Sequence, residues 1–268
     1  MELVNMNLAE LKLEKERLTK RVEEGRDKLA KCNAIHEKEL YDILPDAPTD
    51  DDEHNDYKFV VKHVEATQLA TGISYSNINK FWIGKSTCKY TADVSIKIID
   101  FKFEITVEKQ DNDETKILDI TCHFENVESS YLQEIIPWVK DFATKKEYSA
   151  LMAAFSVYGH AATTRTKILK KCESKKYVTI EHTEHDGGLI ALIHSPKSIT
   201  EPLASITWKT IFNEKSRGIE HSFSVNVIDE DFGTKNRSLF QDLCKRGLKK
   251  EELETIWSDL CGEIKEYK

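Results

Sequence analysis

The sequence predicts an α+β protein in which an N-terminal coiled-coil helix precedes two tandem domains, each an antiparallel four-stranded sheet with helices on one face. Three observations predict this fold. A narrow apolar stripe runs through the first 36 residues, an acidic stretch follows at 46–56, and the order helix, four strands, helix then occurs twice. Consecutive strands with short connections pair antiparallel, so each run of four should form its own sheet. The predicted limits are 1–44 for the coiled coil, 45–56 for an acidic linker, and 57–160 and 161–268 for the two α+β domains.

The N-terminal stripe has the character of a coiled-coil seam. Its apolar residues are separated by three, four or seven positions, and Lys15 and Gly25 interrupt it. A stripe this narrow suits pairing with one other helix better than packing on a globular core. We expect the seam to bind a helix of a partner protein, while folding back on its own domain remains the alternative. The seam residues are Leu8, Leu11, Leu18, Val22 and Leu29.

The segment DAPTDDDEHND at 46–56 predicts a linker. It holds six acidic side chains among eleven residues, and the helical pattern ends at Pro45, just before it, and Pro48, within it. Such a composition cannot bury enough apolar surface to form a core.

Composition limits the classes of function. The net charge of −8 argues against a nucleic-acid binder that works by neutralising phosphates, although direct DNA contact stays open. The six cysteines include no Cys-x-x-Cys pair, which predicts buried thiols in a reducing compartment rather than a zinc ribbon or a secreted disulfide scaffold. Neither a secretory signal nor a run of about 18 apolar residues is found, so we expect a soluble intracellular protein.

The first α+β domain is predicted from its hydrophobic periodicity. A helical pattern with Phe59, Val64 and Leu69 ends at Gly72, and a second helix opens at Ser129 or Ser130 and breaks or restarts at Pro137. Strands with alternating apolar residues lie between them, at 73–83, 89–99, 101–108 and 116–124.

The second domain repeats this order. A long helix at 145–172 leads into predicted strands at 176–184, 188–194, 203–213 and 219–229, and helices at 238–246 and 249–266 finish the chain. In the last strand, Phe223, Val225 and Val227 alternate with polar residues and should face the helices. The inward face of the long helix is predicted to carry Tyr148, Leu151, Met152, Phe155 and Tyr158.

The stretch TIEHTEHDGG at 179–188 is the strongest candidate for a chemical site. Its potential metal ligands or proton carriers are Glu181, His182, Glu184, His185 and Asp186. The flanking residues alternate as in a strand, which would point His182 and His185 to opposite faces. Asp-Gly is also a strong hairpin signal, because glycine accepts the positive φ of the turn. We therefore predict a polar hairpin tip. The alternative is a metal-dependent enzyme centred on His182, Glu184 and His185.

Other enzyme signatures are weaker. The sequence has no Gly-x-Gly-x-x-Gly, Gly-x-Ser-x-Gly or His-Glu-x-x-His motif, and IGKS at 83–86 lacks the first glycine of a phosphate loop. His123, His194 and His221 each stand alone in predicted strands, where structural histidines are common. Lysine clusters at 167–176 and 245–250 suit an acidic partner or phosphates, although helix C-termini favour cations in any case. We predict no enzyme activity and no catalytic, cofactor-binding or metal-binding residues.

Several segments resemble one known family. They are ATQLATGISYSNI at 66–78, the strand FKFEITVEK at 101–109, the helix-rich segment at 147–180, and GLKKEELETIWSDLC at 247–261. In this order they are similar to the centromere protein P family, whose members carry an N-terminal helix and two RWD domains. The resemblance implies that both predicted α+β domains are RWD-like.

The resemblance also implies a function without cofactor or active site. It implies a nuclear subunit of the inner kinetochore that forms a heterodimer with centromere protein O and joins centromere proteins Q, U and R in the constitutive centromere-associated network. The O subunit shares this layout, so either subunit fits. The acidic linker, Lys15 and Gly25 depart from the pattern and leave the length of the coiled coil open. An RWD-type adaptor in another intracellular complex is the alternative.

Overall fold

The computed structural model describes residues 15, 19–20, 67–110, 115–183, 185–195 and 198–267. The chain divides into two compact units, Met1–Glu65 and Ala66–Lys268. Within the first unit, only Lys15, Thr19 and Lys20 are described, and all three are helical and exposed. The predicted coiled coil and linker therefore lie almost wholly outside the described residues. Across the described part of the chain, no helix is both long enough and apolar enough to cross a membrane.

The first sheet consists of four antiparallel strands that pair in chain order. They are β1 (Ile73–Trp82), β2 (Thr87–Ile96), β3 (Ile99–Lys109) and β4 (Thr115–His123). These bounds confirm the predicted strands to within a few residues. Along β3, Phe101, Phe103 and Val107 are buried while Lys102 is exposed, as the alternating sequence predicts. Gly72 ends the preceding helix, and its N–H donates to the Gln68 carbonyl.

Two helices cover this sheet, α1 (Ser129–Lys145) and α2 (Tyr148–Glu173). The predicted break at Pro137 is wrong, since α1 continues through this residue. A proline inside a helix removes one backbone hydrogen bond. Here Ile135 and Trp138 flank it and are at most 3% exposed, so tertiary packing on both sides holds the helix together.

Helix α2 belongs to both sheets. Its buried stripe advances in steps of four and three residues, and it is continuous through the predicted domain limit at 160/161. The half up to Ala162 packs in the core of the first sheet, and the half from Ile168 packs in the core of the second. One helix thus serves two cores. The stripe consists of Leu151, Phe155, Tyr158, Ala162, Arg165, Leu169 and Cys172, of which none is more than 3% exposed.

The second sheet is again four-stranded, antiparallel and paired in chain order. Its strands are β5 (Val178–His182), β6 (Leu189–Ser195), β7 (Ser198–Asn213) and β8 (Gly218–Val227). The two sheets and their helices confirm the α+β class and the doubled strand order. As predicted, Phe223 and Val225 pack against the helix-covered core. Val227 is 41% exposed, although its side chain does face Gly233 of the following helix.

Three helices complete the chain: α3 (Glu230–Lys235), α4 (Arg237–Leu243) and α5 (Lys250–Glu266). Sequence periodicity missed α3, because six residues are too few to show a helical repeat. Its signal was instead the cap, where the Asp229 carboxylate accepts from the Phe232 N–H at 2.7 Å. On α5, Trp257 stacks on Trp208 of β7 with ring centroids 5.6 Å apart, which places the last helix on the second sheet.

Candidate interaction surface

The predicted partner-binding seam of Leu8, Leu11, Leu18, Val22 and Leu29 lies outside the described residues. Lys15, Thr19 and Lys20 are the described residues of this region, and the Thr19 hydroxyl donates to the Lys15 carbonyl at 2.8 Å. Pairing through the seam therefore stays a prediction.

The predicted hairpin at 179–188 is confirmed, and its tip contacts the beginning of α1. His182 Nδ1 lies 2.9 Å from Ser130 Oγ and 3.3 Å from Glu128 Oε1. The Gly188 N–H donates to the Ser130 carbonyl. Gly188 has φ +88°, and a Cβ there would stand 2.7 Å from the Trp208 carbonyl oxygen, so this close approach requires glycine. The polar tip thus serves as a contact between the two sheet-and-helix layers.

The hairpin brings together few groups that could carry chemistry. His185 and Asp186 are exposed, and Glu184 lies outside the described residues. Over residues 67–110, 115–183, 185–195 and 198–267, no three His, Cys, Asp or Glu side chains are grouped so that they could hold a metal ion. His182 thus pairs with the Ser130 hydroxyl of α1 and with the carboxylate of Glu128, the residue before α1.

A buried polar network joins the same two layers. Glu134 of α1 and Arg165 of α2 form an ion pair, with Oε1 2.6 Å from Nη1. Glu134 also accepts from the Tyr158 hydroxyl and from the Thr210 N–H, and Arg165 donates to the Trp208 carbonyl. Burial raises the pKa of Tyr158, and the Glu134 carboxylate adds to the effect. Because Thr210 and Trp208 belong to β7, the pair ties the first helix layer to the second sheet.

Sequence reasoning missed this network, although a signal for it existed. Arg165 follows Tyr158 by seven residues and precedes Cys172 by seven, so it falls within the apolar stripe of α2. A lone cation in such a stripe predicts a buried partner of opposite charge, because an unpaired buried charge is very unfavourable. The partner itself could not be chosen from the sequence, since many acidic residues precede it.

A groove of about 280 Å³ opens beside this network, between α1 and β7. Its walls include Pro137 and Trp138 from the helix, and Phe212 from the strand. Charged residues at its border carry both signs, Asp141 and Lys209 among them. The groove can take an apolar side chain of a partner, but its mixed charge specifies no small ligand.

Among the described residues, four exposed large apolar side chains lie close together in sequence at the end of β1. We call Ile78, Phe81, Trp82 and Ile83 the β1 patch; these side chains are 60%, 54%, 56% and 62% exposed. In a soluble domain, large apolar residues that cluster at the surface commonly mark a binding site. The Lys80 ammonium lies 4.8 Å from the Trp82 ring centre, which adds a cation to the border of the patch.

The backbone at this patch is also available. β1 is an outer strand of its sheet, and no strand among the described residues pairs with its second edge. Edge strands of this kind offer unpaired N–H and C=O groups to another chain. A bulge between Ser76 and Asn79 interrupts the pairing with β2, and Asn77 at its centre donates to the Asp93 carboxylate at 2.6 Å. Bulges next to binding sites turn side chains in a new direction. Because side chains alternate along a strand, Phe81 and Trp82 lie on opposite faces, so the β1 patch borders this strand edge on both sides.

The three histidines predicted to be structural have ordinary neighbours. The His221 Nδ1 accepts from the Trp208 indole N–H at 3.0 Å, and His194 Nε2 lies 2.9 Å from the Thr179 hydroxyl. Burial lowers the pKa of His221 to about 4, and the Arg165 charge adds to this effect. His123, which is about half exposed, lies 3.6 Å from Glu104.

Comparison with known proteins does not identify the chain. No family model matches the chain, and no curated protein matches its sequence.

Proposed function

We propose that this protein is a non-enzymatic structural subunit of the inner kinetochore. It pairs with a second tandem-RWD subunit, centromere protein O, and the pair joins centromere proteins Q, U and R in the centromere-associated network that supports chromosome segregation. The site of action is the centromere in the nucleus. No cofactor takes part.

The observation that carries the proposal is the tandem arrangement. Two four-stranded α+β layers share the helix α2 and are tied together by the buried Glu134–Arg165 pair. The shared helix and the ion pair connect the two layers into one folded body, which suits a scaffold that must hold partners at fixed positions. The segments similar to the centromere protein P family fall on this same body, at β1, β3, α2 and α5.

The β1 patch is the described surface that best suits the partner. It combines exposed aromatic and aliphatic side chains with a strand edge that no described strand pairs with. Aromatic residues dominate the binding energy of protein interfaces, because each buries a large area at a small cost in rotamer entropy. The predicted N-terminal seam contributes a second pairing element, since a seam at coiled-coil spacing buries its leucines only against another helix.

The test is co-expression of the full chain with centromere protein O. We expect one complex on size exclusion with light scattering, with one copy of each chain. Phe81→Lys together with Trp82→Lys should weaken the pair at least tenfold, because two charges would enter the apolar contact. Ile228→Lys is the matched control, since Ile228 is 49% exposed and belongs to the second sheet layer. This control should pair normally.

Two results would overturn parts of the proposal. If the chain melts cooperatively but forms no complex with centromere protein O, the proposed pairing is wrong. Equal binding by the β1 variant and the Ile228→Lys control would remove the β1 patch from the interface. Fluorescent fusions then separate the kinetochore function from an adaptor elsewhere: centromeric foci support the former, whereas a diffuse signal outside the nucleus requires the latter.

A further inference from the structure

Two free cysteines meet between α2 and α5. The Sγ atoms of Cys172 and Cys261 are 3.3 Å apart, and the residues are 3% and 7% exposed. They stand 89 positions apart in the chain, so the contact is made by the fold alone. Neither is joined in a disulfide. A disulfide requires an S–S distance of about 2.05 Å, so these sulfurs need to approach each other by only roughly 1.2 Å.

A cavity gives small molecules access to this pair. It has a volume of about 190 Å³ and is lined by both cysteines, by Glu254 and Ser258 of α5, and by three lysines on α2 and the turn after it. One water needs only about 10–15 Å³ of such volume, so a small peroxide fits. The lysines are Lys167 and Lys171, which are four residues apart on one face of α2, and Lys175 in the turn that follows the helix.

The groups around the cavity favour the thiolate form of Cys261 over that of Cys172. The hydrogen bond between the two sulfurs lowers the pKa of Cys261 to about 7, while burial opposes the shift and the positive charges of Lys175 and Lys171 add to it. The same contact raises the pKa of Cys172, and burial adds to the rise. Elsewhere, burial raises the pKa of Cys122 to about 12. Because the thiolate is the reactive form, Cys261 is the better nucleophile of these cysteines.

We propose that Cys172 and Cys261 form a redox-modification site, which hydrogen peroxide oxidises to a disulfide that fastens α5 to α2. The Cys261 thiolate attacks one peroxide oxygen, the O–O bond breaks, and the leaving hydroxide takes up a proton as water. This leaves a sulfenic acid on Cys261. The Cys172 sulfur then attacks the Cys261 sulfur, an S–S bond forms, and the second oxygen leaves as water. Two electrons pass from the two thiols to one peroxide.

This site goes beyond the pairing function, because it acts on the second core. Helix α5 carries Trp257, which stacks on Trp208, so the disulfide holds the last helix on its sheet. A cross-link over a loop this long restricts the unfolded chain strongly. The oxidised protein is therefore the more stable form, and a thiol reductant reverses the change.

The experiment treats the full chain with a slight excess of hydrogen peroxide, blocks remaining thiols with N-ethylmaleimide, and maps non-reduced peptides by mass spectrometry. We expect a linked pair containing Cys172 and Cys261, two hydrogens lighter than the separate peptides, and a melting temperature raised on the order of 5 °C until dithiothreitol is added. Cys122→Ser, the matched control, should still form the link.

The order of the steps has its own test. Cys172→Ser should leave a sulfenic acid on Cys261 that a dimedone probe traps, whereas Cys261→Ser should leave Cys172 largely unlabelled. Both thiols alkylated after peroxide treatment of the folded wild-type chain would overturn the proposal. That measurement needs no variant, so a substitution that fails to fold does not weaken it. Equal dimedone labelling in the two variants would overturn the assignment of Cys261 as the attacking thiolate.

Discussion

Glu134 of α1 and Arg165 of α2 form an ion pair whose side chains are 2% and 0% exposed. Each group also binds the backbone of β7, since Glu134 accepts from the Thr210 N–H and Arg165 donates to the Trp208 carbonyl. Water cannot solvate either charge, so each depends on the other. The pair therefore fixes the position of the second sheet relative to the first helix layer, and its value lies in specifying one arrangement of the two.

Breaking one side of this pair is expected to destabilise the protein strongly. Arg165→Met keeps much of the side-chain volume but leaves the Glu134 carboxylate buried without its cation. We expect the free energy of unfolding to fall by roughly 3–5 kcal/mol. Adding Glu134→Gln removes the stranded charge, so the double variant should be more stable than Arg165→Met alone. Denaturation in urea measures both.

An exposed ion pair supplies the control. Lys145 lies 2.7 Å from Asp141 on the surface of α1. Lys145→Met breaks a pair that water already screens, so the unfolding midpoint should stay unchanged within error. If Arg165→Met behaves in the same way, the buried pair is not what holds the layers together.

The strands could be predicted well from the sequence, whereas the Glu134–Arg165 contact between the two layers could not, for a physical reason. The alternation Phe101, Phe103, Ile105, Val107 reports directly on which face of β3 is buried, so strands could be located from local pattern. Glu134 and Arg165 are 31 residues apart, and nothing local shows that they meet. Pro137 was misjudged for the same reason, because the packing of Trp138 that keeps α1 intact comes from distant residues. The β1 patch shows in the sequence only as apolar residues, which are more often buried.

The contact between α2 and the first sheet leaves no room for a larger residue at Gly159. A Cβ there would lie 2.6 Å from Cγ2 of Ile96, whose side chain is 1% exposed. Gly159→Ala should therefore lower the free energy of unfolding by about 1–3 kcal/mol through overpacking, even though alanine favours helices. Thermal melting with matched chemical denaturation measures the change.

Gly262 of α5 is the matched control with the opposite expected sign. A Cβ at this position meets nothing within 4 Å. Gly262→Ala should raise the free energy of unfolding by about 0.5–1 kcal/mol, because alanine loses less backbone entropy in a helix. If both substitutions stabilise the protein, α2 can move away from β2, and the close approach of Gly159 to Ile96 does not limit the size of the residue at 159.

His221 should make the stability of the second sheet depend on pH. Burial first, and then the Arg165 charge, lower its pKa from 6.5 to about 4 in the folded protein. The unfolded chain therefore binds this proton more readily than the folded one. The neutral ring contributes its full stability above pH 6.5, and that stability is lost as the pH falls towards 4. The loss from this residue should reach roughly 3 kcal/mol.

Because carboxylates also titrate near pH 4, the contribution of His221 has to be measured as a difference in the free energy of unfolding between wild type and a variant. The free energy of unfolding of His221→Gln, subtracted from wild type at each pH, should change between pH 6.5 and 4 and stay level above pH 7. His123→Gln controls for loss of a half-exposed histidine. A flat difference curve for His221→Gln would show that its ring is solvated in the folded state.

The last prediction concerns the N-terminal seam, which lies outside the described residues. Leu11 and Leu18 stand near its centre, seven residues apart, with Lys15 between them. Leu11→Asp together with Leu18→Asp would place two carboxylates in an apolar contact, which is unfavourable unless the seam opens. We expect the double variant to lose co-elution with centromere protein O while the melt of the globular part stays unchanged, because that part contains its own two cores. Lys20→Asp, at an exposed helical position, is the control and should co-elute normally. Normal co-elution of the double variant would remove the seam as a principal pairing element. A collapsed globular melt would mean instead that the helix packs on its own domain.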